Sequence, residues 1–191
     1  MLTEDIDITW KLQRAGWKIV FEPGALVWIL MPETLPGLWK QRLRWAKGGA
    51  QVLFKNFDVL AHPSQRRMWP LLAEMCASGI WVYLFLGLSC LWLGSLVAPH
   101  HGLLWAGSPL LPQGPGLWLI ATCLVQFSLT MWMDARYERG LWRYYYWIVW
   151  YPAFYWTLSA AAAAVAYPLI AFRRSGIRAR WVSPDRGVRP F

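Results

Sequence analysis

The sequence predicts an α-helical membrane protein with about three transmembrane helices, preceded by an amphipathic interfacial helix and a partial α/β segment. Hydrophobic residues make up 57% of the 191 residues, more than a soluble domain of this size needs. Of the 19 Lys and Arg, ten lie in residues 1–67 and nine follow residue 135, so that residues 68–135 contain none. Membrane segments impose such segregation, whereas a nucleic-acid-binding surface gathers positive charge on a folded domain. We therefore expect a lipid bilayer as a partner and no nucleic acid.

Residues 1–32 predict one short helix followed by extended chain. Thr3 is a suitable N-cap for a helix from Glu4 to Ala15, and Gly16 is a C-terminal stop. Residues 17–22 alternate between apolar and polar side chains, which indicates a strand ending at a turn, and the apolar run 25–31 is either a second buried strand or a segment lying against the membrane. These pieces are too few to close a core by themselves.

Residues 33–67 predict the amphipathic interfacial helix and a polar connector. Thr34 and Pro36 mark a helix start, and the helix is expected to run to about Phe54. On that helix an amide, a guanidinium and an indole share one face, at Gln41, Arg44 and Trp45. Gly48 follows on the same face and leaves bare backbone where a ligand could come close.

This helix face has two interpretations. An Arg fork grips phosphate oxygens and a Trp plane offers a surface for a sugar ring, which together suit a sugar–diphosphate reaction at the membrane edge. Alternatively, Arg and Trp side chains on a basic amphipathic helix anchor it at the lipid headgroups.

The transmembrane region is expected at 68–172, with spans at about 69–97, 117–133 and 145–172. Pro152 and Pro168 can kink the last span, and the small residues 160–164 permit close helix packing. The distribution of positive charge places residues 1–67 in the cytoplasm, the loop 98–116 outside and the turn 134–144 inside. A third complete span would then carry the basic tail, 173–191, outside against the same rule, unless one of the runs does not fully cross.

Two motifs carry a resemblance to a known family. Thr3-Glu4-Asp5, followed by Gln-x-x-Arg-Trp at 41–45 and then by membrane spans, resembles the processive family-2 glycosyltransferases, which include cellulose, chitin, hyaluronan and poly-N-acetylglucosamine synthases. The resemblance covers essentially all of this chain but only the later part of those proteins. It implies that residues 1–32 are the end of a cytoplasmic GT-A catalytic domain, that the protein is a multi-pass protein of the bacterial inner membrane, and that this chain alone is inactive.

The resemblance also implies roles for individual residues. Asp5 would be the general base that takes the proton from the acceptor hydroxyl in an inverting transfer, with Thr3 and Glu4 beside it. Arg44 would neutralise the diphosphate leaving group. Trp45 would stack on the acceptor sugar, and Gln41 would orient sugar or phosphate through hydrogen bonds. Read without the second motif, Asp5 is an ordinary N-terminal helix charge.

The tail at 178–187 resembles the C-terminal end of the poly-β-1,6-N-acetylglucosamine branch, which makes biofilm exopolysaccharide. This implies UDP-N-acetylglucosamine as donor, a growing polysaccharide as acceptor and a small membrane partner subunit. The family also implies a divalent metal, Mg or Mn, whose ligands are not in this chain, since its D-x-D string, Asp5 to Asp7, lies inside the first helix. The alternatives are a hyaluronan, chitin or cellulose synthase, or a non-enzymatic membrane channel or interaction subunit.

Overall fold

The computed structural model describes residues 2–97, apart from 28 and 30, and residues 115–172. All regular structure in these residues is helical. In chain order the helices are α1 (Glu4–Arg14), α2 (Leu35–Lys55), two 3-10 helices (Phe57–Ala61 and Pro63–Met68), α3 (Trp69–Val97), α4 (Pro115–Asp134), a 3-10 helix (Leu141–Tyr144), α5 (Tyr145–Ile148), a π-helix (Pro152–Trp156) and α6 (Thr157–Ala171). Most of the predicted loop 98–116 and the whole tail 173–191 lie outside the described residues.

The predicted ends of α1 and α2 are confirmed. Gly16 has a φ of +88°, a conformation that glycine adopts without strain, and the Trp17 amide donates to the Leu12 carbonyl across it. At the start of α2 the Thr34 hydroxyl accepts a hydrogen bond from the Gly37 amide at 3.2 Å. The predicted caps therefore hold at the end of α1 and at the start of α2, whereas Thr3 occupies the N-cap position of α1 without a side-chain hydrogen bond to the helix.

The prediction of a strand at 17–22 is wrong for this chain. The turn that ends it is present, closed by a hydrogen bond from the Ala25 amide to the Glu22 carbonyl, but the residues before it form no ladder. A strand needs a neighbour to pair its backbone amides and carbonyls, and no part of the described chain supplies one. Val20 and Phe21 are accordingly 81% and 89% exposed. The apolar run 25–31 likewise forms no strand at its described positions, so the α/β character predicted for residues 1–32 is not visible.

Two helical segments in the described part of the chain are long and apolar enough to cross a membrane, judged by length and composition. They are Pro63–Ser95 and Phe154–Ala171. The predicted span at 117–133 is a helix, α4, but is not one of these two segments. In the predicted span at 145–172, α5 ends at Ile148, whose carbonyl Pro152 cannot pair because proline has no backbone donor. A π-helix begins at Pro152, whereas α6 continues through Pro168.

The described residues form two compact units. The first combines Met1–Gly87 with Leu158–Phe191, as far as these ranges are described. Its apolar core contains Trp10, Val52, Leu53, Val59, Met68 and Leu72. Within the same unit α6 lies close to α3, because Gly79 brings the helix backbone near the Tyr167 ring and the Tyr83 hydroxyl donates to the Ala164 carbonyl at 3.2 Å. Of the predicted alanine run, Ala160 and Ala162 are buried, and Ala164 makes the hydrogen-bonded contact with α3.

The second unit is Leu88–Thr157. In it, the Ser128 hydroxyl of α4 and the Tyr145 hydroxyl of α5 are 3.0 Å apart, within hydrogen-bonding distance. The ring of Phe127 also meets the Tyr151 ring edge to face, with centroids 6.0 Å apart. The aromatic residues at the start of the third predicted span therefore pack on α4.

Candidate functional site

One face of α1 lies against α2 and the 3-10 helix that follows it. Four side chains at i, i+4, i+7 and i+11 form this face: Thr3, Asp7, Trp10 and Arg14. Trp10 is 2% exposed and belongs to the same apolar core as Val52 and Leu53. Further along, the Arg14 guanidinium donates to both carboxylate oxygens of Asp58, at 3.0 and 2.6 Å, and to the Asn56 side chain. The two predicted motif helices are thus held side by side by contacts along the whole length of α1.

Gly48 allows the closest approach between these helices. A Cβ atom at this position would lie 2.4 Å from Cγ2 and 2.5 Å from Oγ1 of Thr3, closer than any real contact. The sequence predicted that bare backbone here would admit a ligand. The space is instead filled by the side chain of Thr3, so that Gly48 joins the Thr3-Glu4-Asp5 motif to the helix of the Gln-x-x-Arg-Trp motif.

Asp7 forms an ion pair between the helices. One of its carboxylate oxygens accepts from the Lys55 ammonium at 2.5 Å, and the other pairs with Lys11 of its own helix at 2.9 Å. Burial of Asp7 acts to raise the pKa of its carboxyl, but the hydrogen bonds from Lys55 and then Lys11 outweigh this, so that the pKa lies below the usual value. The carboxylate is therefore held ionised at neutral pH.

An open cavity of about 390 Å³ lies beside this contact. It is lined by Leu2, Thr3, Glu4, Asp5, Ile6, Arg44 and Trp45. Glu4 and Asp5 are exposed, and Trp45 is 38% exposed. The structure therefore brings five of the six predicted site residues, separated by some forty positions in the chain, to one cavity.

One hydroxyl in this cavity has no hydrogen-bond partner within the described chain. Thr3 is 7% exposed, and its Oγ1 atom is buried without a donor or acceptor, although Thr3 occupies the N-cap position of α1. Buried polar groups are nearly always paired in folded proteins, and an unpaired one requires an explanation. The Oγ1 atom lies against Gly48 of α2, so that its burial follows from the close approach of the two helices.

Gln41, the sixth predicted site residue, is 4% exposed and does not line the cavity. Its side-chain oxygen accepts from the Arg42 guanidinium at 3.3 Å. Arg42 in turn lies over the Trp45 ring, 4.3 Å from its centroid, in cation–π geometry. Sequence reasoning gave Arg42 no role, although its i, i+3 spacing to Trp45 was a signal for this contact.

The described residues do not fit a divalent metal. No group of three or more His, Cys, Asp or Glu side chains comes together in the described part of the chain. Asp5 and Asp7 cannot act as a chelating pair, because Asp7 is turned into α2 and neutralised by two ammonium groups.

A carboxylate opposite a guanidinium and an indole, beside long apolar helices, is a site suited to transfer of a sugar from a diphosphate at a membrane. The model of the glycosyl transferase family group 2 matches residues 1–172, and the chain belongs to this family. The chain is 37% identical to the poly-beta-1,6-N-acetyl-D-glucosamine synthase of Staphylococcus epidermidis over 188 residues, which cover 98% of this chain and 45% of the relative. It is also 37% identical to the enzyme of that name from Staphylococcus aureus over 190 residues, with the same coverage. The chain spans about half the length of these curated relatives, and no solved structure matches it.

Proposed function

We propose that the protein containing this chain is a membrane glycosyltransferase that polymerises N-acetylglucosamine from UDP-N-acetylglucosamine into a β-1,6-linked exopolysaccharide. The observation that carries this proposal is the single cavity that Asp5 shares with Arg44 and Trp45. The N-acetylglucosamine unit and the β-1,6 linkage are those in the names of the two staphylococcal relatives, and UDP is the carrier that the family resemblance implies. The family membership supports the class of reaction.

The reaction divides between the two sides of the cavity. On the α1 side, Asp5 accepts the proton of the acceptor hydroxyl, and the oxygen of that hydroxyl forms a bond to the anomeric carbon of the donor sugar. On the α2 side, the bond from that carbon to the β-phosphate oxygen breaks, and UDP leaves with the electron pair. Arg44 stabilises the negative charge that collects on the diphosphate, and its guanidinium presents donors in the fork that phosphate oxygens accept. Attack from one side and departure on the other inverts the anomeric configuration.

The acceptor end of the polymer is expected to rest on Trp45. The Arg42 guanidinium covers this ring, so that the remaining exposed indole surface is what a sugar ring can stack against. Gln41 accepts a hydrogen bond from Arg42, which lies over the Trp45 ring, so Gln41 orients the indole indirectly.

The remaining parts of the proposal concern the surroundings of the site. We infer that the protein is a multi-pass protein of the bacterial inner membrane, with residues 1–67 in the cytoplasm, where UDP-sugars are made. The two long apolar segments and the basic residues before them support this placement. The uridine contacts and the ligands of the divalent metal that the family resemblance implies are expected outside the described residues. We also expect a small membrane protein as a partner subunit.

The test replaces Asp5 in the full-length protein. Asp5→Asn removes the base but keeps the shape of the side chain, and we expect polymer formation to fall by about a hundredfold or more, in line with general-base catalysis. Binding of UDP-N-acetylglucosamine, measured by titration calorimetry, should change little, because Arg44 and the nucleotide site are untouched. Glu33→Gln is the matched control, since Glu33 is an exposed carboxylate outside the cavity. Near-normal polymer output from Asp5→Asn would contradict the base assignment, and synthesis from a different UDP-sugar alone would contradict the donor.

A further inference from the structure

The two carboxylates of α1 that lie two positions apart have different surroundings. Asp5 is exposed and lines the cavity, whereas Asp7 is 6% exposed and is paired with α2. Positions i and i+2 of a helix are about 200° apart around its axis, so these side chains leave nearly opposite sides of α1. Whatever fixes the direction of Asp7 therefore also fixes the direction in which Asp5 is presented.

We propose that Asp7 and Lys55 are positioning residues for glycosyl transfer: their ion pair sets the rotation of α1 on α2 and so holds Asp5 opposite Arg44 and Trp45. This inference rests on the proposed function of the cavity. Neither residue lines the cavity, so both act through the base and neither touches substrate.

Two other directional contacts hold the two ends of α1, since the Leu2 amide donates to Gln51 of α2 at 3.1 Å and the Arg14 guanidinium donates to Asp58 and Asn56 just beyond α2. Around the turn that carries Asp5, the remaining contacts fix the rotation of the helix less well. Packing of Trp10 in the apolar core is non-directional, and it lies one turn beyond Asp7. The contact of Thr3 with Gly48 sets how closely the helices approach but makes no hydrogen bond. The Lys55–Asp7 pair is short, charged and directional, and it joins the C-terminal end of α2 to the middle of α1.

The proposal predicts a larger effect on rate than on stability. The Lys55 side chain is 41% exposed, and ion pairs with an exposed member contribute little to the free energy of folding. Transfer by a general base is far more sensitive to geometry, because a displacement of about 1 Å can cost on the order of a hundredfold in rate. Loss of the pair should therefore appear in kcat while the protein remains folded in the membrane.

The experiment compares two lysines that bind the same carboxylate, in the full-length protein in membranes. Lys55→Met removes the contact between the helices, and we expect kcat for polymer synthesis to fall on the order of tenfold with the KM for the UDP-sugar changed by less than about twofold. Lys11→Met removes the contact within α1, so both constants should stay within about twofold of the wild type. Lys55→Arg keeps the charge and should recover most of kcat.

A double-mutant cycle separates positioning from a general loss of structure. Asp7→Asn should lower kcat as much as Lys55→Met does, and the double variant should be no worse than either single variant, because the same contact is lost each time. Additive losses, or equal kcat values for Lys55→Met and Lys11→Met, would overturn the proposal. Asp7→Asn provides the same comparison if Lys55→Met does not accumulate in the membrane. If the wild type uses a different UDP-sugar, the proposed donor is wrong, and the cycle is measured with the sugar that it does use.

Discussion

Among single residues, Asp7 makes the clearest prediction for pH. Its carboxyl has a lowered pKa in the folded chain, because the hydrogen bonds from Lys55 and Lys11 outweigh the effect of burial. The pKa of an aspartate carboxyl in the unfolded chain is about 3.9, and a carboxyl with a lower pKa in the folded chain stabilises the fold fully at pH values above about 3.9. This contribution is lost as the pH falls through the pKa of the folded state.

The measurement is the thermal midpoint of the detergent-solubilised protein and of Asp7→Asn between pH 7 and pH 3. We expect the wild type to be the more stable protein at pH 7, with the difference shrinking below about pH 4 as the wild-type carboxylate takes up its proton. Glu33→Gln, at an exposed carboxylate with no ion pair among the described residues, should follow the wild type throughout. A difference between wild type and Asp7→Asn that is constant with pH would show that the charge of Asp7 does not stabilise the fold.

Among the helices, two adjacent glycines of α2 provide a matched pair. A methyl group at Gly48 would overlap the side chain of Thr3, whereas one at Gly49 meets nothing within 4 Å. We expect Gly48→Ala to lower the free energy of unfolding by about 1–3 kcal/mol, as overpacking does, and to push α1 away from α2. Gly49→Ala should stabilise α2 by about 0.5–1 kcal/mol, because alanine loses less backbone entropy in a helix. Both values follow from chemical unfolding, and equal effects of the two substitutions would show that α1 does not lie against Gly48.

The sequence predicted those features of α1 and α2 that depend on residues close together in the chain, and it missed those that depend on distant residues. Caps are local, so Thr34 and Gly16 fixed the ends of α2 and α1 in advance. The contact of Thr3 with Gly48 and the pair of Asp7 with Lys55 join residues more than forty positions apart, and no spacing rule reports them. The strand at 17–22 failed for a related reason, since its alternating pattern states which faces would be buried but not whether a neighbouring strand is present.

The candidate site was predictable to the extent that the two motifs carried it. The sequence placed Arg44 and Trp45 on one helix face, and only the family resemblance assigned Asp5 to the same site. In the structure all three residues line one cavity. Gln41 was assigned to the same face, yet it is buried behind Arg42, because 3.6 residues per turn leave i and i+4 about 40° apart and packing decides which of them meets solvent.

For the whole molecule, the open question is how often the chain crosses the membrane. A helix of 20 residues is about 30 Å long and matches the hydrocarbon core, so α4 can cross together with α3. The last segment, Phe154–Ala171, has 18 residues and is about 27 Å long, which suffices once the aromatic residues before Pro152 lie at the interface. We therefore predict three crossings, with the turn 134–144 on the same side as residues 1–67.

Single cysteines in a background without Cys76, Cys90 and Cys123 test this topology with a membrane-impermeant maleimide. Cysteines at positions 62 and 140 should be labelled only after the cytoplasmic membrane is permeabilised. A cysteine at position 190 should be labelled in cells whose cytoplasmic membrane is intact and whose outer envelope admits the reagent. Labelling of position 140 in such cells would mean that α4 does not cross. The three arginines of the turn would then be external and the six of the tail cytoplasmic, and the positive-inside rule favours that arrangement by number of charges alone. The hydrophobic length of α4 and this difference in charge therefore oppose each other, and the labelling at position 140 shows which of them determines the topology.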